Sequence, residues 1–228
     1  MSNRAMMRGV VNTPMGDPHW ANVVSLLHFN GADGSTSFVD EKGLSWTAEG
    51  DVYISTTNSR FGGSAMYVDG VGNNDLIYTN IGKLALDDFT IEGWFLFSSI
   101  AWFSPFGGHW GLNSFIFRLS SEMVGWQSDL DNPGGSKSFY VSASFSPNVW
   151  YHLALVRSSG VFAIYQNGVQ LGTSSIVIDI QTDAMGLGRS PYSPVENMQG
   201  YIDEFRITKG VARYTANFTP PTSEFLNF

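Results

Sequence analysis

The chain has 228 residues, a formal net charge of −8, no cysteine, and 14% each of charged and aromatic residues. The lack of cysteine excludes a disulfide framework and thiolate metal centres. The aromatic content is too high for a disordered chain. An acidic chain lacks the excess of lysine and arginine that binds phosphate backbones, so nucleic acid is excluded as the expected partner. We also expect no membrane contact and no signal peptide, because no apolar run approaches about 20 residues.

Residues 1–21 differ from the rest of the chain. They contain four methionines and two prolines, and they carry a net charge of +1 from Arg4, Arg8 and Asp17. One interpretation is a disordered terminus. The other is an extended arm that packs on a neighbouring subunit through its adaptable methionine side chains. We predict an extended N-terminal arm over residues 1–21 and one domain over residues 22–228.

Beyond the arm, short apolar or alternating segments follow one another, separated by glycine-rich turns. The predicted strands are Val24–Phe29, Val52–Ile54, Ser64–Val68, Leu76–Tyr78, Phe89–Phe97, Phe115–Leu119, Met123–Trp126, Phe139–Ala143, Val149–Arg157, Val161–Tyr165, Ala184–Gly188 and Gly200–Ile207. No window of about 11 residues shows a helical period. The pattern predicts an all-β sandwich or barrel.

The strongest predicted strand is Phe89–Phe97, and apolar residues occupy both of its faces. We therefore expect a central strand that is covered on both sides. One of the adjacent pair Asp203 and Glu204 would also be buried and would need a partner. Arg206 or Arg157 could supply it, and a metal ion is the alternative. Glu92 raises the same question of a structural partner or a metal ion.

Four segments together resemble the concanavalin A-like, laminin-G-like jelly-roll family. They are Phe89–Phe95, Trp150–Arg157, Ile164–Gly168 and Gly200–Ile207, and they occur in the family's order. The resemblance covers about residues 22 to 225. It implies an antiparallel two-sheet jelly-roll sandwich.

Two further segments are similar to a subgroup of this family that is common in bacteriophage virion proteins. They are Leu26–Gly31 and Ala212–Pro221. This resemblance implies a virion protein made in the host cytoplasm. Fold alone says little about function.

Catalytic motifs are missing from the sequence. The jelly-roll glucanases of this family carry an acidic strand of the form Glu-x-Asp-x-x-Glu, and no such run occurs. Asp203 and Glu204 are adjacent, so on a strand they would face opposite ways and could not form a hydrolytic pair. Nucleophile elbows, histidine zinc motifs and phosphate loops are also absent. We expect no enzymatic activity, and a glycoside hydrolase is the least supported alternative.

Two regions are candidate binding sites. An aromatic cluster in a glycine- and proline-punctuated stretch is the candidate contact surface, for a glycan or a protein, and comprises Trp102, Phe103, Phe106, His109 and Trp110. The alternative is that these rings fill the sandwich. Asp69, Asn73 and Asp75 offer oxygen ligands in one loop and are weak candidates for calcium, without the spacing of a calcium loop. No other cofactor is expected.

Two functions are compared on this basis. The first is a non-enzymatic virion structural protein, a head decoration or a tail component, that contacts other virion proteins through its arm and forms a homo-oligomer. The second is a carbohydrate-binding adhesin that recognises a host surface glycan. The two overlap, because a virion protein can also display a glycan-binding surface.

Overall fold

The computed structural model describes residues 16–71, 75–108, 114–128, 136–189 and 196–228. Within these ranges the only helical segment is a 3-10 turn at Trp20–Asn22. The strands, numbered in chain order, are β1 Val23–Leu27, β2 Phe38–Val39, β3 Ser45–Glu49, β4 Tyr53–Ser55, β5 Ala65–Val68, β6 Leu76–Asn80, β7 Phe89–Phe97, β8 Phe103–Gly108, β9 Phe115–Leu119, β10 Met123–Ser128, β11 Ser138–Ser142, β12 Trp150–Ser158, β13 Val161–Gln166, β14 Val169–Ser174, β15 Ala184–Leu187 and β16 Gly200–Lys209.

The strands form two antiparallel sheets of eight strands each. The first sheet runs β14-β13-β12-β7-β16-β5-β4, and β1 pairs with the C-terminal half of β16. The second runs β11-β10-β9-β8-β15-β6-β3-β2. The predicted all-β, two-sheet jelly-roll class is confirmed. Among the described residues, no helix is long and apolar enough to cross a membrane.

Strand β7 lies at the centre of the first sheet, and all nine of its residues are buried, as predicted. On one face, Phe95 and Phe97 point between the sheets, where their rings lie 6.0 Å from Phe106 and 5.0 Å from Phe103. These contacts form part of one continuous apolar core. Side chains alternate along a strand, so the other face of β7 points outward from the sandwich.

The outward face is covered in part by the C-terminal segment 212–222, hereafter the tail. Tyr214 and Phe218 stack on each other with ring centroids 3.5 Å apart. They pack on a small apolar cluster of β12 and β13, formed by Ala154, Val156, Ala163 and Tyr165. The tail therefore buries one half of this face and ends beside the other half.

The described part of the predicted arm packs on the chain's own domain. Asp17 is buried, and its carboxylate accepts hydrogen bonds from Arg206 at 3.2 Å and Arg213 at 2.7 Å. Its backbone N–H also donates to the carbonyl oxygen of Phe228 at 2.8 Å. Residues 1–15 lie outside the described residues, so an arm there remains a prediction.

Candidate functional site

Two members of the predicted aromatic surface belong to the core instead. Phe103 is 2% exposed and Phe106 is fully buried, because β8 lies inside the second sheet between β9 and β15. The ring of Phe106 stacks on that of Phe117 at 4.5 Å. The prediction that these two rings form a contact surface is wrong. Their glycine- and proline-rich surroundings resemble a loop in sequence but form a buried strand.

Trp102, also predicted to belong to the aromatic contact surface, is exposed to solvent over 40% of its area. Its ring lies 5.4 Å from Tyr140 on the edge strand β11. Nearby, the Arg118 guanidinium donates two hydrogen bonds to the Glu196 carboxylate, both at 2.8 Å, and one to Gln127. His109 and Trp110 lie outside the described residues.

The predicted calcium ligands fall on a loop that the structure describes in part. Asp75 is 2% exposed, and its carboxylate accepts a hydrogen bond from the backbone N–H of Asp51 at 3.0 Å. Burial, assisted by the neighbouring Asp69, raises the pKa of Asp75 to about 6. Asn73 lies outside the described residues.

A second group with metal-ligating side chains was missed in the sequence, because its members are far apart along the chain. One ligand atom from each of His28, Glu204 and Glu224 lies within 4.8 Å of the others. Each already has a protein partner: His28 Nδ1 lies 2.6 Å from Glu204, and Asn30 donates to Glu224 at 2.8 Å. The group therefore satisfies its own hydrogen bonds as part of the fold.

Glu92 and the acidic pair on β16 have different partners. Glu92 is fully buried, and its partner is Arg206, which donates to it at 2.7 Å. Tyr214 of the tail donates to its second oxygen at 2.7 Å. Arg206 above all holds the pKa of Glu92 far below its usual range despite burial.

The predicted pairing of Asp203 or Glu204 with Arg206 or Arg157 is wrong. A bulge between Asp203 and Arg206 shifts the register of β16, and Glu204 takes a left-handed φ of 51°. The carboxylate of Asp203 accepts the backbone N–H groups of Arg60 at 2.7 Å and Phe61 at 3.0 Å. Burial raises the pKa of Asp203 to about 7.

The open half of the first sheet's outward face carries a row of mostly aromatic side chains. The register places one residue from each of five adjacent strands directly opposite the next: Tyr53, Tyr67, Tyr201, Leu96 and Trp150. We call this set the aromatic row. With strands about 4.8 Å apart, it runs roughly 19 Å across the sheet.

Neighbouring rings of the aromatic row touch one another. The ring of Tyr67 lies 5.3 Å from that of Tyr53 and 5.0 Å from that of Tyr201. Tyr53, Tyr67 and Trp150 are half-buried, whereas Tyr201 is 9% exposed. Burial raises the pKa of Tyr67, and the two adjacent tyrosines add to the effect. The row is a rigid apolar surface with hydroxyl groups along it.

A cavity of about 370 Å³ opens at the Trp150 end of the row. Arg60, Trp94 and Trp150 supply its aromatic and cationic walls, and Asn167 and the tail residues 219–222 complete it. We call it the Arg60 cavity. The guanidinium carbon of Arg60 lies 4.1 Å from the ring centroid of Trp94. A second cavity, of about 390 Å³, is lined in part by Tyr53 at the opposite end of the row.

The sequence contained only a weak signal for this site. Tyr53 and Tyr67 each lie between two apolar residues in a predicted strand, and Tyr201 lies between Gly200 and Ile202 in another. Their alignment depends on which strands pair and in what register, and a single sequence does not give that information.

The chain that carries this site matches the sequence model of a known protein family. The model described as the concanavalin A-like lectin/glucanases superfamily matches residues 69–213, more than half of the chain. The chain belongs to this superfamily. No curated protein matches the sequence.

Solved structures with the same fold include a toxin binding domain and two domains in complex with oligosaccharides. The binding domain of botulinum neurotoxin serotype G has a TM-score of 0.62 at 15% identity, covering 87% of this chain and 49% of its own. Domain 4 of AbnA, a GH43 extracellular arabinanase from Geobacillus stearothermophilus, in complex with arabinotriose, has a TM-score of 0.61 at 17% identity, covering 84% and 94%. The CBM40 of a Ruminococcus gnavus IT-sialidase, bound to α2,3-sialyllactose, has a TM-score of 0.50 at 15% identity, covering 58% and 80%. This superfamily member spans about half the length of the neurotoxin domains that it matches.

Proposed function

We propose that this superfamily member is a non-enzymatic carbohydrate-binding domain, and that its glycan lies along the aromatic row with one end in the Arg60 cavity. The observation that carries the proposal is the register of Tyr53, Tyr67, Tyr201 and Trp150 on adjacent strands. Aromatic rings pack on the apolar faces of sugars, and nearby polar groups bind the hydroxyls. Two proteins of similar fold were solved in complex with oligosaccharides, α2,3-sialyllactose and arabinotriose, which supports the same class of ligand.

A hydrolase is disfavoured by the positions of the carboxylates. Glu92 is fully buried and Glu204 is 1% exposed. Both accept hydrogen bonds from the protein, Glu92 from Arg206 and Glu204 from the backbone N–H of Phe225. Glycoside hydrolysis requires two carboxyl groups that flank a bound glycosidic bond. Neither of these side chains has access to one.

The test is binding of the full chain to a panel of oligosaccharides and bacterial polysaccharides, measured by glycan array and then by calorimetry. The Trp150→Ala variant is expected to weaken binding at least tenfold, because the accessible ring at the cavity end of the row is lost. The matched control is Trp102→Ala, which removes an exposed tryptophan from the other sheet and should leave binding unchanged. No binding to any glycan, or loss in the control alone, would overturn the proposal.

A bacteriophage virion role is the second proposal, and it rests on the resemblance of Leu26–Gly31 and Ala212–Pro221 to virion proteins. It includes contact with other virion proteins through residues 1–15 and assembly into a homo-oligomer. The structure sharpens the test, because a deletion must spare Asp17, which pairs with Arg206 and Arg213. A chain lacking residues 1–15 is expected to fold normally but to be absent from purified particles. Unchanged incorporation would reject the arm.

A further inference from the structure

We infer that the Arg60 cavity binds an acidic sugar, with the Arg60 guanidinium as the partner of the sugar carboxylate. The inference rests on the proposed function, because it names the class of glycan that the site selects. Uronic acids and sialic acids both present such a carboxylate, so the shared chemistry is a carboxylate on a sugar ring.

The first observation is that Arg60 is exposed at the cavity and, in the part of the chain that the structure describes, has no carboxylate partner. Other arginines of this acidic chain are paired, Arg118 with Glu196 and Arg213 with Asp17. With 20 acidic and 12 basic side chains, carboxylates are not scarce. A guanidinium that remains without one beside a cavity is available to a ligand.

The second observation is that Arg60 is held in place without the use of its guanidinium N–H groups. Its backbone N–H donates to Asp203 at 2.7 Å, and its guanidinium lies over Trp94 at 4.1 Å from the ring centroid. Stacking on a ring leaves the N–H groups at the rim of the guanidinium plane free to donate. A preorganised arginine can form two parallel hydrogen bonds to a carboxylate, which a lysine cannot reproduce.

The third observation is that the other groups of the cavity suit the rest of a sugar. Trp150 offers a ring face, and Thr219 offers a hydroxyl. Asn167 uses its side-chain oxygen to accept the backbone N–H of His152 at 2.9 Å, so its amide NH₂ group remains for a ligand hydroxyl. Asp203, whose carboxylate accepts the Arg60 backbone N–H, is buried. Burial favours its protonated form, and a protonated carboxyl does not repel an anionic ligand.

The experiment compares acidic oligosaccharides with their own methyl esters, which keep the sugar and remove the charge. The probes are oligogalacturonides and sialyllactose, each as the free acid and as the ester, titrated into the full chain by calorimetry. We expect the acids to bind at least tenfold more tightly than the esters. The preference should shrink as salt is raised, because partly exposed charges are screened.

Two variants separate a local effect from a change of net charge. Arg60→Met is expected to bring the affinity for the acid down to that for the ester, while Arg60→Lys keeps only part of the preference. The control is Arg118→Met, which makes the same charge change on the other sheet and should keep the full preference. Equal binding of acid and ester by the unmodified chain, or a preference that survives in Arg60→Met, would overturn the inference.

The outcomes also distinguish this inference from the proposed function. If acid and ester bind equally and Trp150→Ala weakens both, the carbohydrate site stands and the acidic-sugar inference fails. If the chain binds neither form of any probe and no neutral glycan, both fail together.

Discussion

The two halves of the first sheet's outward face differ in what covers them and in how their side chains are bonded. In the covered half, Glu92 is fully buried and is bonded to Arg206 and to Tyr214 of the tail. In the open half, Tyr53 and Tyr67 are half-buried and contact each other through their rings at 5.3 Å. The tail makes the difference, because it covers one half and its last residues border the Arg60 cavity.

The largest effect is expected from breaking the covered half at Glu92. Glu92→Ala removes the acceptor of two Arg206 nitrogens and of the Tyr214 hydroxyl in a buried site, and leaves Arg206 with Asp17 alone. Removing one member of such a buried pair typically lowers the free energy of unfolding by about 3–5 kcal/mol. We expect urea denaturation of the variant to show a decrease of this size. A loss below about 1 kcal/mol would mean that the network does not hold the tail.

A smaller effect is expected from the tail itself. Phe218→Ala removes a ring that stacks on Tyr214 at 3.5 Å and packs beside His152 at 5.6 Å. Because Phe218 is only half-buried, we expect a loss of about 2 kcal/mol in unfolding free energy. Since residues 219–222 line the cavity, glycan affinity should fall as well. A loss of unfolding free energy with unchanged glycan affinity would show that the tail stabilises the fold without contributing to the binding site.

The smallest effect concerns pH and Asp203, which lies between the two halves. Burial raises the pKa of Asp203 from its usual acidic value to about 7, so the folded chain keeps a proton that the unfolded chain releases. The stability associated with this proton is fully present below about pH 4 and is lost as the pH rises through about 7.

Asp203→Asn isolates this contribution, because asparagine can accept the same two backbone N–H groups of Arg60 and Phe61. As the pH rises from 4 to 8, we expect the variant to gain stability relative to the unmodified chain. The expected gain in unfolding free energy is at least about 1 kcal/mol, slightly less than the free energy that corresponds to a pKa shift of one unit. Thermal unfolding across this pH range measures the difference. A difference that does not change with pH would show that Asp203 is ionised in the folded chain.

The sequence predicts the covered half far better than the open half. Apolar residues on both faces of Phe89–Phe97 indicate a strand buried on both sides, and the burial of all nine residues confirms it. The same reasoning requires a partner for Glu92, because buried charges need partners wherever they lie. It does not assign Arg206 to Glu92, and the structure supplies that pairing. These inferences depend on local pattern and on general physical chemistry.

The open half depends on long-range pairing, which the pattern does not contain. Phe103 and Phe106 belong to a glycine-rich segment, and only the position of β8 inside the second sheet shows that they are core residues. The bulge between Asp203 and Arg206 changes which side chains face outward. The alignment of Tyr67, Tyr201 and Trp150 likewise follows from the strand order, so the aromatic row could not be read from the sequence.

The measurement that tests the central claim most directly is a crystal structure of the full chain with a bound oligosaccharide from the binding panel. The account predicts sugar rings on the ring of Trp150 and along Tyr201 and Tyr67, with a terminal unit beside Arg60. An oligosaccharide bound instead on the second sheet beside Trp102 and Tyr140 would contradict it.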